Sequence, residues 1–551
     1  LWRLDGIDIP NPNHFGKNGS SGGLISAINS AMLGNSDFLT GAFPAEYGTR
    51  MSAVFDMHTR DGNTERVEGT LQLSVIGSEA VAEAPIPGLE GSSVIASYRH
   101  STLGLLREFG ILDFEELPDF DDAMLKLNFK LGGNDKLSAT GIWGDARINS
   151  ENTVNEEIAQ GTGILVGGLD WQHLYSEQFI SHVWVNYVKN RYTEAYGGGN
   201  YEETSTEFTT AKAEVSYLPT SDHALTLGVS AQHVVFSLLP GDFENYSENS
   251  DAYYTYLNWN WRIVPRLVLN TGLFSQWIDY NKSNSLEPRA SLAWSPLDEH
   301  TFAVAYGIHR QPEPIEFAQA EHFVLGYTYR PSSDIMIKAE AYEKRYSDVP
   351  IHGSTMDSYS FLNEGFAEHI NYYDLINAGE GRTYGAELSL FKHYNDGYYI
   401  TTTASYVRQE FAGSDGIWHF GSFDNQYILN ILGGYDFPLS NSSTFTLSEK
   451  FTIAGGGAQT PIDLEASREA GRTVRDEANA YGQRKDPYVR LDINVEFQFN
   501  WDASRFTIYA SILNALNIDN VMYDYYDSYY DEVRYNYDVP IIPVIGLRYE
   551  F

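Results

Sequence analysis

The segment Tyr488–Asn500, which reads YVRLDINVEFQFN, alternates without a break between apolar and polar residues. The polar residues occupy the even positions, beginning at Arg490. A period of two predicts a β-strand with one apolar face and one polar face. The residues of the apolar face are Val489, Leu491, Ile493, Val495, Phe497 and Phe499.

The same alternation recurs along the chain, for example in Asp251–Ile263, where Trp259 and Trp261 share one face. Extending this interpretation to all 551 residues predicts an all-β protein with about 22 strands, the size of a large membrane barrel. We place the strands at 67–76, 78–86, 92–101, 120–131, 135–147, 162–174, 178–192, 206–217, 222–236, 251–263, 265–279, 286–295, 300–310, 321–330, 334–346, 382–392, 397–409, 424–436, 443–454, 487–498, 504–523 and 540–551.

The connections between these strands alternate in length after the first pairs. Short turns such as Gly132–Asp135 are followed by long loops, predicted at 148–161, 193–205, 237–250, 347–381, 410–423, 455–486 and 524–539. Short turns at one end and long loops at the other are typical of an antiparallel transmembrane β-barrel, whereas Greek-key sandwiches do not keep this parity. The barrel must close, because an open edge in lipid leaves backbone groups unpaired.

The composition is compatible with a membrane barrel. The mean hydropathy is −0.33 and no segment approaches the ~20 apolar residues of a membrane helix, but a spanning strand needs only ~10 residues. Aromatic residues make up 14% of the chain, including 39 Tyr and 10 Trp, which suit the membrane–water boundary. There is no cysteine, so disulfides and thiolate metal sites are excluded.

The formal net charge is −38, from 74 acidic and 36 basic residues. Such a chain repels phosphates, so we expect no nucleic-acid partner. The acidic residues either favour cationic ligands and divalent ions or simply solvate long loops. The sequence begins at Leu1 without a signal peptide, and we expect it to be a trimmed mature chain.

Several motifs resemble those of the TonB-dependent outer-membrane receptors. Leu4–Phe15 (LDGIDIPNPNHF) and Gly41–Val54 (GAFPAEYGTRMSAV) resemble the plug that fills the barrel of these proteins. Four further motifs resemble signatures of the family's barrel strands: Ser97–Ser101 (SYRHS), Pro118–Asp122 (PDFDD), Asn377–Glu387 (NAGEGRTYGAE) and Arg490–Asp492 (RLD). The motifs also share the order that they have in the family, and the branch that the chain resembles often carries an N-terminal carboxypeptidase-regulatory-like domain.

The resemblance implies a division into the C-terminal half of a plug, residues 1–66, and a transmembrane barrel, residues 67–551. It also implies a location in the outer membrane of a Gram-negative bacterium and import of a scarce or bulky nutrient. Coupling to the TonB–ExbB–ExbD complex would need the family's TonB-contact segment, which these residues do not include. The alternative is a receptor-like barrel that serves as a scaffold in a larger outer-membrane assembly.

The sequence carries no enzyme motif that we can identify. It has no phosphate-binding loop, no His-Glu-x-x-His and no nucleophile elbow, and its 14 histidines are scattered. We therefore expect a binding protein, with partners that include outer-membrane lipids and, by hypothesis, a surface lipoprotein or other outer-membrane proteins.

Two segments are candidates for ligand binding. The first is the Asn-, Gly- and Ser-rich loop 11–21, in which His14, Phe15 and Asn18 would face the outer vestibule, unless it is a solvated turn. The second is the segment 523–532, predicted to form a recognition surface with the loops 347–381 and 455–486. Its tyrosines offer rigid contact area, or else form an interfacial belt; the candidates are Tyr525, Tyr526, Tyr529 and Tyr530.

Charged residues suggest two further roles. Asp524, Asp527 and Asp531 lie between the tyrosines, and their carboxylates could hold Ca²⁺, which prefers several oxygen ligands. We also expect polar residues in the lumen to pair with the plug or with water, because charges on the inner face need a polar environment; these are Arg50, Arg490, Asp492 and Glu496.

Overall fold

The structure is a computed structural model that describes the chain except residues 17–21, 24, 105–117, 152–156, 197–199, 240–245, 313–314 and 364–373. Within these described residues, strands dominate and helices are few and short. None of the described helices is long and apolar enough to cross a membrane.

Four strands between Trp2 and Thr59 form a small mixed sheet of their own. Its strands are β1 (Trp2–Leu4), β2 (Ile7–Ile9), β5 (Leu33–Leu39) and β6 (Val54–Thr59), in the order β2-β1-β6-β5, with β1 parallel to β6. A separate short pair joins β3 (Asn13–His14) to β4 (Ile25–Ser26), and Ser30–Met32 form a 3₁₀ turn capped by Asn29.

The remaining strands close into an antiparallel barrel, as the alternation predicted. β33 pairs with β7, from Gly546 opposite Ser74 to Glu550 opposite Thr70, so 22 spanning strands form one ring. The first thirteen are β7 (Glu68–Ser74), β8 (Gly77–Pro85), β9 (Ser93–Ser101), β10 (Asp119–Lys130), β11 (Asp135–Glu151), β12 (Glu157–Ser176), β13 (Phe179–Tyr196), β14 (Asn200–Thr220), β15 (His223–Leu239), β16 (Tyr246–Val264), β17 (Leu267–Ile278), β18 (Asn284–Leu297) and β19 (His300–Pro312). The others are β20 (Phe317–Tyr329), β21 (Ile335–His352), β22 (Leu375–Asn395), β23 (Tyr398–Ala412), β25 (Gln426–Ser440), β26 (Ser443–Ala454), β29 (Tyr488–Asn500), β30 (Arg505–Leu513) and β33 (Ile542–Glu550).

Short strands, 3₁₀ turns and one short helix lie at the end of the barrel that carries the long loops. β24 (Trp418–Phe420) extends the ladder of β23, and a 3₁₀ turn covers Phe361–Asn363. Between β26 and β29 lie β27 (Ala458–Gln459), helix α1 (Leu464–Ala470), a 3₁₀ turn at Glu477–Asn479 and β28 (Gln483–Arg484). β31 (Val521–Asp527) and β32 (Glu532–Tyr537) form a hairpin between β30 and β33.

The wall has an apolar outer face, and its inner face is polar except where β8–β13 share a buried apolar cluster with the N-terminal sheet. Leu169, Leu325 and Leu388 are each more than half exposed, although they are large apolar residues in the middle of long strands. A barrel that presents leucines outward in this way is surrounded by lipid, because water would not support so large an apolar band. The inner face carries polar pairs such as Asn494 with Ser511, in agreement with the alternation read from Tyr488–Asn500.

Two details of the predicted layout are wrong. The strand predicted at 504–523 ends at Leu513, and the residues after it form the loop 514–541 with its own hairpin. Most of the predicted loops at 148–161, 193–205 and 237–250 are strand, because the ladders of β11–β16 continue beyond the membrane. Alternation fails there since both faces of a strand above the lipid are wet. The predicted boundary after residue 66 falls between β6 and β7.

Candidate functional site

The N-terminal sheet lies inside the barrel, where side chains of the inner wall bind its backbone. Arg289 of β18 donates from Nη1 to the carbonyl oxygens of Pro44, at 2.7 Å, and Tyr47, at 2.6 Å. Its Nη2 lies 3.0 Å from Glu287 Oε2, and neither residue is more than 4% exposed. A buried arginine paired in this way costs less to desolvate, so it can hold two plug carbonyls without an unpaired charge.

Two neighbouring strands extend this contact. His322 of β20 accepts a hydrogen bond at Nδ1 from the N–H of Ala42 and donates from Nε2 to the carbonyl of Met51, at 3.0 and 2.9 Å. Lys344 of β21 donates to the carbonyl of Ser52 at 2.8 Å. The segment 42–52, which lies within the motif Gly41–Val54, is therefore held to the barrel wall through its own backbone atoms. A segment of any sequence would have these atoms.

Gly48 marks the closest approach between this segment and the wall. A Cβ atom at Gly48 would lie 1.9 Å from Cζ of Phe274, which is itself 3% exposed. Beside it, Asn258 of β16 accepts the N–H of Ala45 at 3.1 Å. Only a residue without a side chain fits between the segment and the ring.

His14 is buried rather than facing the vestibule. Its Nε2 lies 2.6 Å from Asp122 Oδ1 of β10, and Arg99 of β9 lies 2.7 Å from the other oxygen of the same carboxylate. At 2% exposure His14 offers no surface to a ligand, so the predicted ligand contact is corrected to an anchor between sheet and wall. Phe15 is partly buried beside it, with its N–H on Thr162, and Asn18 lies outside the described residues.

A polar cavity of about 330 Å³ separates the other side of the sheet from β10–β14. Arg3, Glu46 and Asp56 of the sheet and Lys212 and Glu214 of the wall all line it. Burial, and then the nearby Glu214 carboxylate, raise the pKa of Glu46. A protonatable group therefore lies at the boundary between the sheet and the wall.

The remaining predicted lumen residues pair within the barrel or locally. Arg490 lies 2.8 Å from Asp492, and Glu496 lies 3.1 Å from Arg548 of β33. Arg50 donates to the carbonyl of Thr49. Among the described residues, Arg490, Asp492 and Glu496 thus contact the wall and not the plug, and their expected pairing with water stays a prediction.

The hairpin β31–β32 is docked on the loop between β26 and β29. Arg475 donates to Oδ1 of Asp524 at 2.6 Å and to its backbone carbonyl at 2.9 Å. The N–H of Tyr526 reaches Thr473 Oγ1 at 2.9 Å. Lys485 donates to the carbonyl of Met522 at 2.7 Å, so the two segments form one unit at the outer mouth.

Each of the three aspartates proposed as calcium ligands has an arginine partner. Asp524 pairs with Arg475, Asp531 with Arg468 at 2.7 Å, and Asp527 with Arg534 at 3.3 Å. Asp527 also accepts the N–H groups of Tyr529 and Tyr530, which closes the hairpin turn. Across the described ranges, no three acidic or histidine side chains gather as a metal site.

The four candidate tyrosines separate into two kinds. Tyr529 is 79% exposed and Tyr530 58% exposed, with the guanidinium of Arg534 at 4.6 Å from the Tyr530 ring centre. Tyr526 is buried, and its hydroxyl donates to Asp531, while Tyr525 is partly buried. Of these four tyrosines, the two at the tip of the hairpin therefore offer the most aromatic surface to a large partner.

A second cluster joins the loops behind the hairpin. The fully buried carboxylate of Asp424 accepts from Arg408 at 3.1 Å and also from Arg484, whose side chain comes from β28. Both guanidinium groups lie over the ring of Phe420, at 4.3 and 5.4 Å. The loops over β22–β29 are thus fixed to one another by charge pairs and cation–π contacts.

The fold is a closed 22-stranded wall around a small mixed sheet, with loops held together at one mouth, and it can now be compared with known proteins. Residues 97–521 match the family model described as TonB dependent receptor-like, beta-barrel. This chain is a member of the TonB-dependent receptor family. The receptor is an outer-membrane protein of Gram-negative bacteria, and its family consists of transport receptors rather than enzymes.

Solved structures of the same fold are similar over the whole chain. The ferripyoverdine receptor of Pseudomonas aeruginosa has a TM-score of 0.75 and 12% identity, with 100% of this chain and 80% of that chain covered. BauA, the ferric preacinetobactin receptor of Acinetobacter baumannii, has a TM-score of 0.73 at 11% identity, with 100% and 88% covered. The transporter YddB of Escherichia coli has a TM-score of 0.72 at 11% identity, with 100% and 90% covered. No curated protein matches the sequence.

Sequence reasoning missed the basic partners of the mouth. Arg468 and Arg475 lie 63 and 49 residues before the aspartates that they bind. The loop 455–486 contains four arginines but also six acids, so its net charge gives no reason to expect contact with the acidic segment 523–532. Only the tertiary structure shows which of these arginines meet the aspartates.

Proposed function

We propose that this receptor imports a bulky nutrient across the outer membrane, driven by the TonB–ExbB–ExbD complex of the inner membrane. The observation that carries the proposal is the docking of residues 42–52 on Arg289, His322 and Lys344 inside the barrel. A barrel obstructed from within needs work to open, and family membership identifies the usual source of that work. In this proposal the N-terminal sheet is the remaining half of a plug.

Recognition would begin at the tip of the hairpin β31–β32. Tyr529 and Tyr530 are exposed, whereas Arg475 holds Asp524 of β31 and Arg468 holds Asp531 in the turn of the hairpin. A rigid support with two free aromatic rings lowers the entropic cost of binding and contributes about 1–2 kcal/mol per buried ring. A ligand with flat or hydroxyl-rich surfaces, such as an iron chelate, a sugar or a peptide, suits this surface.

The test measures binding and uptake separately on whole cells that produce the receptor. The probes are radioiron-loaded pyoverdine, radioiron-loaded preacinetobactin, fluorescent maltodextrin and a fluorescent peptide mixture. We expect one probe to bind in all conditions and to enter only while the proton gradient of the inner membrane is intact. Binding by one probe whose entry is unaffected by a protonophore or by loss of TonB would contradict active import and favour the scaffold alternative.

A pair of variants locates the recognition surface. Tyr529→Ser with Tyr530→Ser should weaken binding about tenfold or more, since two rings lose their contacts. Tyr526→Phe is the control, because its ring is buried and the change removes only the hydroxyl that donates to Asp531. Equal binding by the double variant and the wild type would assign recognition to another part of the mouth.

A further inference from the structure

The lipid-facing side of β22 changes from apolar to charged at its outer end. Leu388 and Tyr384 are exposed, at 53% and 39%, and they share the outward face because residues an even number apart in a strand point the same way. Arg382 is the next outward residue towards the long loops. At a rise of ~3.4 Å per residue and a tilt of ~40°, it lies about 5 Å above Tyr384 along the membrane normal. Tyrosines mark the membrane–water boundary, so Arg382 lies at the level of the lipid headgroups.

A second arginine stands directly opposite the first at this level. Arg345 of β21 pairs with Arg382 in the ladder, so both side chains are on the outward face. Like charges at directly opposed positions of neighbouring strands repel each other. The two side chains lean apart accordingly: Arg345 lies 5.5 Å from the ring centre of Phe323 on β20, and Arg382 lies 4.9 Å from that of Trp418 on β24. An anion bound between the two guanidinium groups would relieve this repulsion.

Both arginines keep unused hydrogen-bond donors. Arg382 donates to Glu410 from Nε, and Arg345 donates to Glu343 from Nε at 2.8 Å and from Nη2 at 3.1 Å. In the part of the chain that the structure describes, Nη1 and Nη2 of Arg382 and Nη1 of Arg345 have no acceptor. Guanidinium N–H groups form strong, charge-assisted hydrogen bonds with phosphate oxygens. The pair of arginines is therefore suited to a phosphate group at the headgroup level.

Two exposed aromatic rings continue this surface sideways and upwards. In the ladder Glu410 is opposite both Arg382 and Phe420, so Phe420 is outward and at the level of Arg382. Trp418 lies one outward step higher on the same short strand β24. The two residues are 39% and 46% exposed, although they stand above the apolar band. Aromatic faces at a wet boundary pack against groups that are partly apolar and partly polar, and a sugar ring is such a group.

We propose that Arg345, Arg382, Trp418 and Phe420 bind the headgroup of a phosphorylated glycolipid in the outer leaflet. The phosphate lies between the two guanidinium groups, a sugar ring lies on the aromatic faces, and the acyl chains run down the apolar outer face of β22. A phospholipid headgroup without a sugar would leave the rings uncovered, which is why the site is assigned to a glycolipid. The site lies on the outside of β21–β24 and is independent of import through the lumen.

The test is native mass spectrometry of the intact receptor, released from bilayers that contain equal parts of lipid A, dephosphorylated lipid A and phosphatidylglycerol. Charge-assisted hydrogen bonds to the phosphate correspond to a preference of about tenfold for lipid A over its dephosphorylated form. Arg382→Gln should abolish this preference. Glu380→Gln should increase it, because Glu380 is the exposed outward carboxylate next above Arg382 and repels a phosphate.

Two further variants separate the sugar from the phosphate and from charge in general. Trp418→Leu should lower the retention of both forms of lipid A and leave that of phosphatidylglycerol unchanged. Arg266→Gln is the matched control, because Arg266 is a half-exposed arginine with one aspartate partner at the short-turn end, in the other leaflet. It should retain the same lipids as the wild type.

A second measurement needs no variant and so does not depend on how the variants fold. Hydrogen exchange of the wild type in β24 should be slower in bilayers with lipid A than in bilayers with its dephosphorylated form, whereas exchange in β7–β9 should not differ. Equal exchange of β24 in both bilayers, or equal lipid A retention by Arg382→Gln and the wild type, would overturn the proposal. Retention of phosphatidylglycerol as strong as that of lipid A would also overturn it, since the sugar would then contribute nothing.

Discussion

Gly48 shows how a single residue controls the docking of the N-terminal sheet. Gly48→Ala places a methyl group 1.9 Å from the ring of Phe274, and overpacking of this kind costs about 1–3 kcal/mol. We expect the segment 42–52 to detach from the wall while the barrel keeps its strand content. Protease sensitivity of the N-terminal residues, compared with circular dichroism of the whole protein, measures both effects.

Gly22→Ala is the matched control for that variant. Among the described residues, no atom lies within 4 Å of a Cβ built on Gly22, so this change adds the same methyl group without a described neighbour. If both variants are as resistant to protease as the wild type, the contact between Gly48 and Phe274 does not hold the sheet.

The raised pKa of Glu46 predicts that the docking of the segment 42–52 on the barrel wall depends on pH. Burial and the Glu214 carboxylate raise the pKa of Glu46 above its ordinary value of 4.5. A raised pKa means that Glu46 binds its proton more tightly in the docked state than in the detached state. The contribution of Glu46 to docking is therefore full at low pH and is lost as the pH rises through the raised pKa. Docking by the wild type should therefore strengthen as the pH falls from neutral towards 4.5.

Glu46→Gln isolates this contribution from other groups that titrate. The variant should dock more firmly than the wild type at neutral pH, and the difference should shrink as the solution is acidified. Protease sensitivity from pH 7 to pH 5 provides the readout, with Glu65→Gln as an exposed control. A constant difference across this range would mean that Glu46 is not the titrating group.

At the scale of elements, the hairpin β31–β32 depends on its arginine supports. Arg475→Ala leaves Asp524, which is 6% exposed, without its charged partner, and a buried carboxylate left in this way costs about 1–3 kcal/mol or more. We expect hydrogen exchange to accelerate in 521–537 and not in the barrel ladders. Arg472→Ala, an exposed arginine on the same loop, should leave exchange unchanged.

The prediction that the hairpin β31–β32 holds Ca²⁺ can be tested by the same measurement of hydrogen exchange. Because Asp524, Asp527 and Asp531 each hold an arginine, we expect a calcium chelator to leave exchange of the hairpin unchanged. Replacing the three aspartates by asparagine should accelerate exchange with or without the chelator. If the chelator alone reproduces the effect of the triple variant, calcium rather than arginine holds the hairpin.

At the scale of the whole molecule, the barrel closes without help from the sheet that it encloses. β33 pairs directly with β7, and every strand of the ring has two neighbours in the described ladders. Deletion of residues 1–66 should therefore give a protein that still resists carbonate extraction and keeps a β-rich circular dichroism spectrum. Its conductance in planar bilayers should exceed that of the full chain, because the sheet and its contacts to Arg289 and Lys344 are gone. A soluble or unfolded product would show that the sheet is required for closure.

The sequence alone determined the architecture of the membrane-spanning part. Within the lipid, each strand has one face in hydrocarbon and one in a polar lumen, so a period of two is imposed on every spanning segment. That constraint located all 22 strands, with errors only where strands leave the lipid, as at Leu513 and in β11–β16. The parity of turns and loops likewise follows from the need to cross the membrane repeatedly.

Only the tertiary structure decided which side chains meet. The pairs His14–Asp122, Arg289–Tyr47 and Arg475–Asp524 join residues separated by 108, 242 and 49 positions, and nothing local in the sequence reports such distances. The same holds for Arg345 and Arg382, which look like ordinary polar residues of two strands until the register places them opposite each other on the lipid-facing side. Local alternation records the two environments on either side of the wall, whereas contacts across the lumen and between loops depend on how the whole ring closes.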